Sequence, residues 1–479
     1  MERGASASGE VNGMVASRIA ALLTLLLPGL FAEAHHWTFR ADGSGTLKQL
    51  LAKAAPGDTI TVHGTVQEGT ITIDKPLTLL GGEGAVIDGG AEGDVLLVTA
   101  DDVTVHALTI RNPLHSNLND LAGIKVQACS RAVITANILE HCFFAIYLNG
   151  AHDARVERNI VNGDPSDLDR MANGIHLWKC DNATIRHNTV KHHRDGIYFE
   201  FVTDSRIAHN TAMHNDRYGL HFMFSHRDMY DDNHFEDNGA GVAVMFSKQI
   251  TMRRNVFRAN RGASAYGLLL KEINDGVISD NAFTDNTTGI MVDGCNRIDV
   301  RDNLFRMNGW ALRLFANAFD CTLQGNTFSG NTFDVSTNGD LRNNVMRGNY
   351  WDRYAGYDLD RDGHGDVPHR PLGFFALLVE RMPYAMVLSR SLFVNLLDRA
   401  ERLIPSLGPE SLKDEHPLMR PPGRTSVSEA TCGDMGSNLK IAILHPSFFI
   451  HPSTQRNEKW RMMNVECRMA CPQATTHHA

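Results

Sequence analysis

Six glycines, Gly174, Gly196, Gly219, Gly241, Gly267 and Gly289, each open a five-residue run in which apolar residues alternate with others. The intervals between them are 22, 23, 22, 26 and 22 residues. A second column keeps the same step: Asn188, Asn210, Asn233, Asn255, Asn281, Asn303 and Asn326. A unit of this length cannot enclose a core alone, so it must stack on its neighbours, and a fixed short period with recurrent turn residues marks a solenoid. Short strands separated by turn signals leave no space for helices inside the repeat. The expected fold is all-β, a right-handed parallel β-helix with coils of about 22 residues.

Period-two alternation assigns each side chain to the inside or the outside, because a slip of one residue would invert every assignment. The inward columns are Ile175, Ile197, Leu220, Val242, Leu268 and Ile290, then Leu177, Phe199, Phe222, Val244, Leu270 and Val292. Ile185, Ile207, Tyr230, Met252, Ile278 and Val300 stand three residues before each asparagine, and Phe235, Phe257, Phe283, Phe305 and Phe328 two after it. The asparagines read as a structural ladder of side-chain amides that satisfies turn backbone. Five cysteines lie in the body, an odd number, so at least one is not paired there. Cys129, Cys180 and Cys295 each fall six residues after a glycine on non-adjacent coils and read as buried thiols.

Both ends depart from this pattern. Residues 14–34 carry Arg18, an apolar stretch Ile19–Phe31 and the small-x-small sequence Ala32-Glu33-Ala34. This predicts a signal peptide over residues 1–34, with Met14 as a possible start, cleavage near Ala34 and export from the cytoplasm. Pro28 and Gly29 interrupt the stretch, which is too short for a membrane span. A net charge of −9 with a pI near 6.2 gives no basic footprint for nucleic acid. The β-helix is expected over residues 35–371, with the regular repeat fading near residue 350. Residues 372–404 carry helical periodicity broken at Pro383, predicting one or two amphipathic helices within a capping or partner-docking segment over 372–424. Residues 425–479 have no periodicity and are expected to be a disordered tail.

The outward face holds the chemistry. In "GLHFMFS", residues 219–225, alternation sends Leu220, Phe222 and Phe224 inward and His221, Met223 and Ser225 outward. One coil later Met245 takes the place of Met223. Adjacent coils are about 4.8 Å apart, so two thioethers stand side by side near an imidazole, the soft ligand set that Cu(I) prefers. His221, Met223, Met245 and the outward Met229 are therefore the candidate copper ligands, with His176 and Trp178 lining the approach. Packing under the helices, or a methionine-rich partner surface, are the other readings of this face. His192 and His214, equivalent in adjacent coils, read as solvated surface histidines.

The stretch "GNYWDRYAGYDLDRDGHGDVPHRP", residues 348–371, places Asp358, Asp360, Asp362 and Asp366 at positions 1, 3, 5 and 9 of a calcium-loop pattern. His369 replaces the bidentate glutamate at position 12, so the alternative is an acidic turn closing the solenoid. The competing function class is a lyase, hydrolase or epimerase acting on uronate polymers. A hydrolase needs two carboxylates roughly 5–9.5 Å apart, and Glu200 lies between Trp178 and Met223 with no acidic mate. Lys271, Asp293 and Arg313 form the nearest approach to a lyase set.

The repeats "YGLHFMFS" and "GVAVMFSK", with the terminal "GNYWDRYAGYDLDRDGHGDVPHRP", resemble the NosD family of periplasmic copper-accessory proteins. The similarity covers roughly residues 35–422, and "DEHPLMRPP" at 414–422 is similar to the family's usual end. The resemblance implies a β-helix of the carbohydrate-binding and sugar-hydrolase type without sugar chemistry. It further implies a role in maturing nitrous oxide reductase, with an ABC transporter, a copper chaperone lipoprotein and the reductase as partners. The helices after residue 372 would then dock on the transporter's membrane subunit.

Overall fold

The computed structural model describes residues 34–422, apart from 117, 167–170, 340, 342, 390 and 404–411. The signal peptide assigned to 1–34 and the tail at 425–479 lie outside the described residues, save Ala34. The chain winds as a right-handed parallel β-helix with three sheets of 14, 13 and 12 strands, here called the first, second and third. In one coil, Thr184–Arg186 belongs to the first sheet, Thr189–Lys191 to the second and Asp195–Glu200 to the third. Every paired strand is parallel to its partner in the next coil, as in Ile175↔Ile197 and Leu220↔Val242.

The inward columns are the core. Ile175, Ile197, Leu220, Val242, Leu268 and Ile290 have no exposed surface. The rings from Phe235 through Phe257, Phe283, Phe305 and Phe328 stack in sequence, and Trp351 closes the pile, with centroids 4.2–5.5 Å apart. All five body cysteines are free and buried. Burial pushes the Cys129, Cys180 and Cys321 thiols up to about 11, so they are inert packing groups.

Corners are built by one residue in the left-handed region followed by a buried asparagine, as in His209-Asn210 and Arg254-Asn255. Each amide oxygen accepts the backbone N–H of the preceding coil's asparagine, from Asn137 through Asn159 and Asn188 to Asn349, at 2.9–3.0 Å. A second ladder, not read from the sequence, runs from His193 through Asn215, Asn238, Asn260, Asn286 and Asn308 to Asn331 at 3.0–3.1 Å. Its signal was present, since each of these asparagines follows a first-ladder asparagine by five residues. Such bonds each contribute about 1 kcal/mol net, and they satisfy corner backbone that would otherwise be buried without a partner.

Both ends are closed. Helix α1, Leu47–Lys53, was not anticipated; Thr46 and Gln49 cap it reciprocally, and its buried Leu47 and Leu51 cover the first coil. At the other end, α2 spans Phe374–Arg381, a 3-10 helix spans Pro383–Leu388 and α3 spans Leu392–Leu403. Phe375, Ala376, Val379 and Val394 pack on Phe333 and Trp310 of the third sheet. The chain then returns to the last coil. Asp414, fully buried, accepts from Gly348 N, Asn349 N, Asn349 Nδ2 and Trp351 Nε1 at 2.9–3.1 Å, ending the first ladder. Segments past Pro371 thus contribute to the packing of the last coils: Leu412 lies in the core cluster and Phe333 lies under α2.

Candidate metal centre and the outer face of the third sheet

The outward column of the third sheet runs Gln127, Asn149, Trp178, Glu200, Met223, Met245, Lys271, Asp293, each in register with the next. Met223 and Met245 are neighbours in it and both are half-buried. Met245 leans on a cluster of Tyr218, Ala240, Ala243 and Leu269.

His221 is not the open imidazole expected. It is only 6% exposed, held between Tyr198 and Tyr218 with ring centroids at 5.1 and 4.7 Å. Its Nδ1 lies 3.3 Å from Arg217 Nη2 and 3.8 Å from Asp195 Oδ2, while Nε2 is buried with no hydrogen-bond partner. Asp195 is wholly buried and takes both ends of the Arg217 guanidinium at 2.9–3.0 Å. Burial opposes its ionisation, but the neighbouring His221 imidazole and the Arg217 charge outweigh that and hold the carboxyl below its ordinary range.

Two further expectations about this coil are corrected. Phe224 faces outward, not inward: its φ of +50° breaks the alternation, and its 36% exposed ring stacks with Phe201 and Phe246. Ser225 turns in, where its hydroxyl accepts from Val202 N and donates to Met223 O. Met229 stands on the first sheet, a different face from Met223, and its sulfur accepts from Arg253 Nη2 at 3.4 Å. The His192 and His214 rings stack at 5.7 Å, with His214 Nδ1 3.0 Å from Asp237.

The lyase set does not assemble. Lys271 and Asp293 are register neighbours, but Arg313 stands opposite Met291 and pairs with Glu380 of α2 at 2.6 Å. Asp293 accepts instead from Asn317 at 2.8 Å.

In the acidic loop, Asp358, Asp360 and Asp362 bring carboxylate oxygens within 4.8 Å of one another. Those oxygens serve the turn: Asp358 accepts from Asp362 N and Gly363 N, and Asp362 from His364 N. Asp366 accepts from Leu359 N at 2.6 Å, and the His369 ring lies against Trp351 and Tyr354. The calcium expectation gains no support from this arrangement, which is that of an acidic turn. An open cavity of about 580 Å³ beside it, lined by Asp302, Arg347, Asp362, His364 and His416, lies away from the methionine pair.

Comparison with known proteins agrees with the fold. The catalytic unit of a GH87 α-1,3-glucanase from Streptomyces thermodiastaticus superposes with a TM-score of 0.52 at 15% identity, covering 68% of this chain and 70% of that one. At that identity the likeness is one of fold alone. A family model described as "Periplasmic copper-binding protein (NosD)" matches residues 157–356. The "Probable ABC transporter binding protein NosD" of Stutzerimonas stutzeri is 29% identical over 384 residues, spanning 76% of this chain and 87% of that protein. The protein of the same description in Pseudomonas aeruginosa is 32% identical over 437 residues, spanning 86% of this chain and 97% of its own. The chain, with its stacked coils and its sulfur-bearing outer column, belongs to the NosD family of periplasmic copper-binding proteins.

Proposed function

We propose that this chain is a periplasmic accessory protein that carries copper toward nitrous oxide reductase during its maturation, without catalytic turnover of its own. The observation that carries the reading is the register pair Met223 and Met245, two half-buried thioethers one coil apart. Thioethers are soft ligands suited to Cu(I) and poor ones for hard cations. His221 is the candidate nitrogen donor, because its Nε2 has no hydrogen-bond partner. Met229, on another sheet, is set aside. Two or three ligands on a sheet face hold a cargo ion loosely enough to release it, as a relay requires. A copper chaperone lipoprotein would deliver the ion and the reductase would receive it. The helical element supports docking on the membrane subunit of an ABC transporter, since Tyr384, Val387 and Leu392 are 92%, 88% and 74% exposed.

Replacing Met223 and Met245 with leucine keeps volume and apolarity nearly constant. Titration with Cu(I) against a competing chelator should show at least tenfold weaker binding in the double variant, with an unchanged circular dichroism spectrum. Wild-type affinity in that variant would make the methionines packing residues.

A further inference from the structure

The first strand begins where the predicted signal peptide ends. A cut after Ala34, in the small-x-small sequence Ala32-Glu33-Ala34, leaves His35 as the first residue, with its backbone nitrogen a free α-amine. Strand β1, His36–Arg40, pairs in parallel with β2, Thr59–His63, at the edge of the first sheet. His35 stands just ahead of β1, and its carbonyl accepts Thr59 N at 2.9 Å. Beside it lies Asp58, only 1% exposed. Its Oδ2 accepts from Trp37 Nε1 at 2.7 Å and from Ala55 N at 2.9 Å, which fixes the carboxylate. Its Oδ1 accepts His35 N at 2.8 Å and lies 3.8 Å from His35 Nδ1. The His35 side chain is 67% exposed, so an ion reaches it directly from solvent.

We propose that the processed chain binds Cu(II) at this terminus through the His35 α-amine, His35 Nδ1 and Asp58 Oδ1. The amine and Nδ1 of one N-terminal histidine close a six-membered ring on a metal. An internal histidine lacks that chelate, because its backbone nitrogen is an amide. Donor atoms about 2.0 Å from a metal stand about 2.8 Å apart when adjacent and about 4.0 Å apart when opposite. The distances from Asp58 Oδ1 to His35 N and Nδ1, 2.8 and 3.8 Å, match an adjacent amine and an opposite imidazole. Two nitrogens and an oxygen, with water completing a square, suit Cu(II) above Zn(II). His36 is engaged elsewhere, its Nε2 lying 2.7 Å from Thr61 Oγ1. The site is independent of the Cu(I) relay in donors, oxidation state and place. Arg206–Ala208, the first-sheet strand of the coil that carries Met223, lies seven strands from β1, about 34 Å at the usual spacing.

The full precursor, exported to a bacterial periplasm and purified, is the chain to test. Its intact mass should place His35 first; any other first residue would overturn the proposal. Titration with Cu(II), followed by electron paramagnetic resonance, should show an axial site with splitting from two nitrogens, and Zn(II) should bind at least tenfold more weakly. His35→Ala should weaken Cu(II) binding at least tenfold. A Gly-Ser-Gly-Ser extension ahead of His35 should do the same, since it turns the amine into an amide and leaves every side chain in place. Asp58→Asn, with its melting curve as the check on folding, should weaken binding at least fivefold. His36→Ala should leave binding unchanged, as should Met223→Leu with Met245→Leu. Undiminished affinity in the extended chain, or loss of the site in His36→Ala, would overturn the proposal.

Discussion

His193 occupies the head of the second asparagine ladder, where the six later coils of the ladder carry asparagine in that position. It donates its backbone N–H to Asn215 Oδ1 at 3.1 Å, but both ring nitrogens are buried without partners. Burial pushes its pKa down to about 3, and burial with the Arg194 charge does the same for His176. The unfolded chain protonates histidine near pH 6.5, so between about pH 6.5 and 3 the unfolded state binds protons that the folded state refuses. The stability contributed by these neutral imidazoles is therefore complete above pH 6.5 and lost as pH falls toward 3. Asp228, raised by burial to about 8, acts in the opposite sense over roughly pH 4–8. That contribution is common to wild type and His193→Asn, so it cancels in their difference. Denaturant melts at several pH values should show the variant gaining on wild type by about 1.4 kcal/mol per pH unit on acidification below pH 6. Parallel pH curves would mean that His193 is not buried neutral in the fold.

At the level of elements, the repeat supplies coils but not their ends. Asp414 gives four N–H groups of the last coil their acceptor. Asp414→Ala should cost about 3 kcal/mol, since buried donors lose a charged partner, and should speed amide exchange at Asn349 and Trp351 before other coils. Uniform exchange along the solenoid would place the closing element elsewhere. For the same reason a chain ending at Pro371 should melt lower, with Phe333 and the last rung uncovered. Among the described residues, the helices expose Tyr384, Val387 and Leu392. Val387→Ser with Leu392→Ser removes exposed apolar surface that makes no core contact, so the melting temperature should hold within about 2 °C while co-purification with the transporter's membrane subunit is lost. Intact co-purification would move the docking surface to the β-helix.

At the scale of the whole molecule, stability is close to a sum over coils and their nearest-neighbour interfaces. Deleting residues 281–302 removes one coil and joins Asp280 to Asn303, restoring both ladders and the phenylalanine stack. The shortened chain should fold, lose about 5 Å of length by small-angle scattering, melt lower, and keep its Cu(I) affinity, because Met223 and Met245 lie upstream. An unfolded product would mean that the coils are not interchangeable units.

The amino-acid sequence alone determined the period, the inward columns and the neighbourhood of Met223 and Met245, because in a stacked solenoid every such contact recurs at a nearly constant separation along the chain. It placed His221 outward correctly with respect to its own strand, yet exposure depends on what else packs there. Tyr198, Tyr218 and Arg217 cover that imidazole from three directions. Phe224 escaped the alternation because it is itself the left-handed corner residue just past the strand end at Met223, which turns its own ring outward and Ser225 inward. Arg313 was drawn out of a lyase-like set by Glu380, 67 residues away, and the first ladder was closed by Asp414, 65 residues beyond Asn349. Those contacts come from segments outside the repeat, whose positions no periodicity encodes, so only tertiary packing decided them.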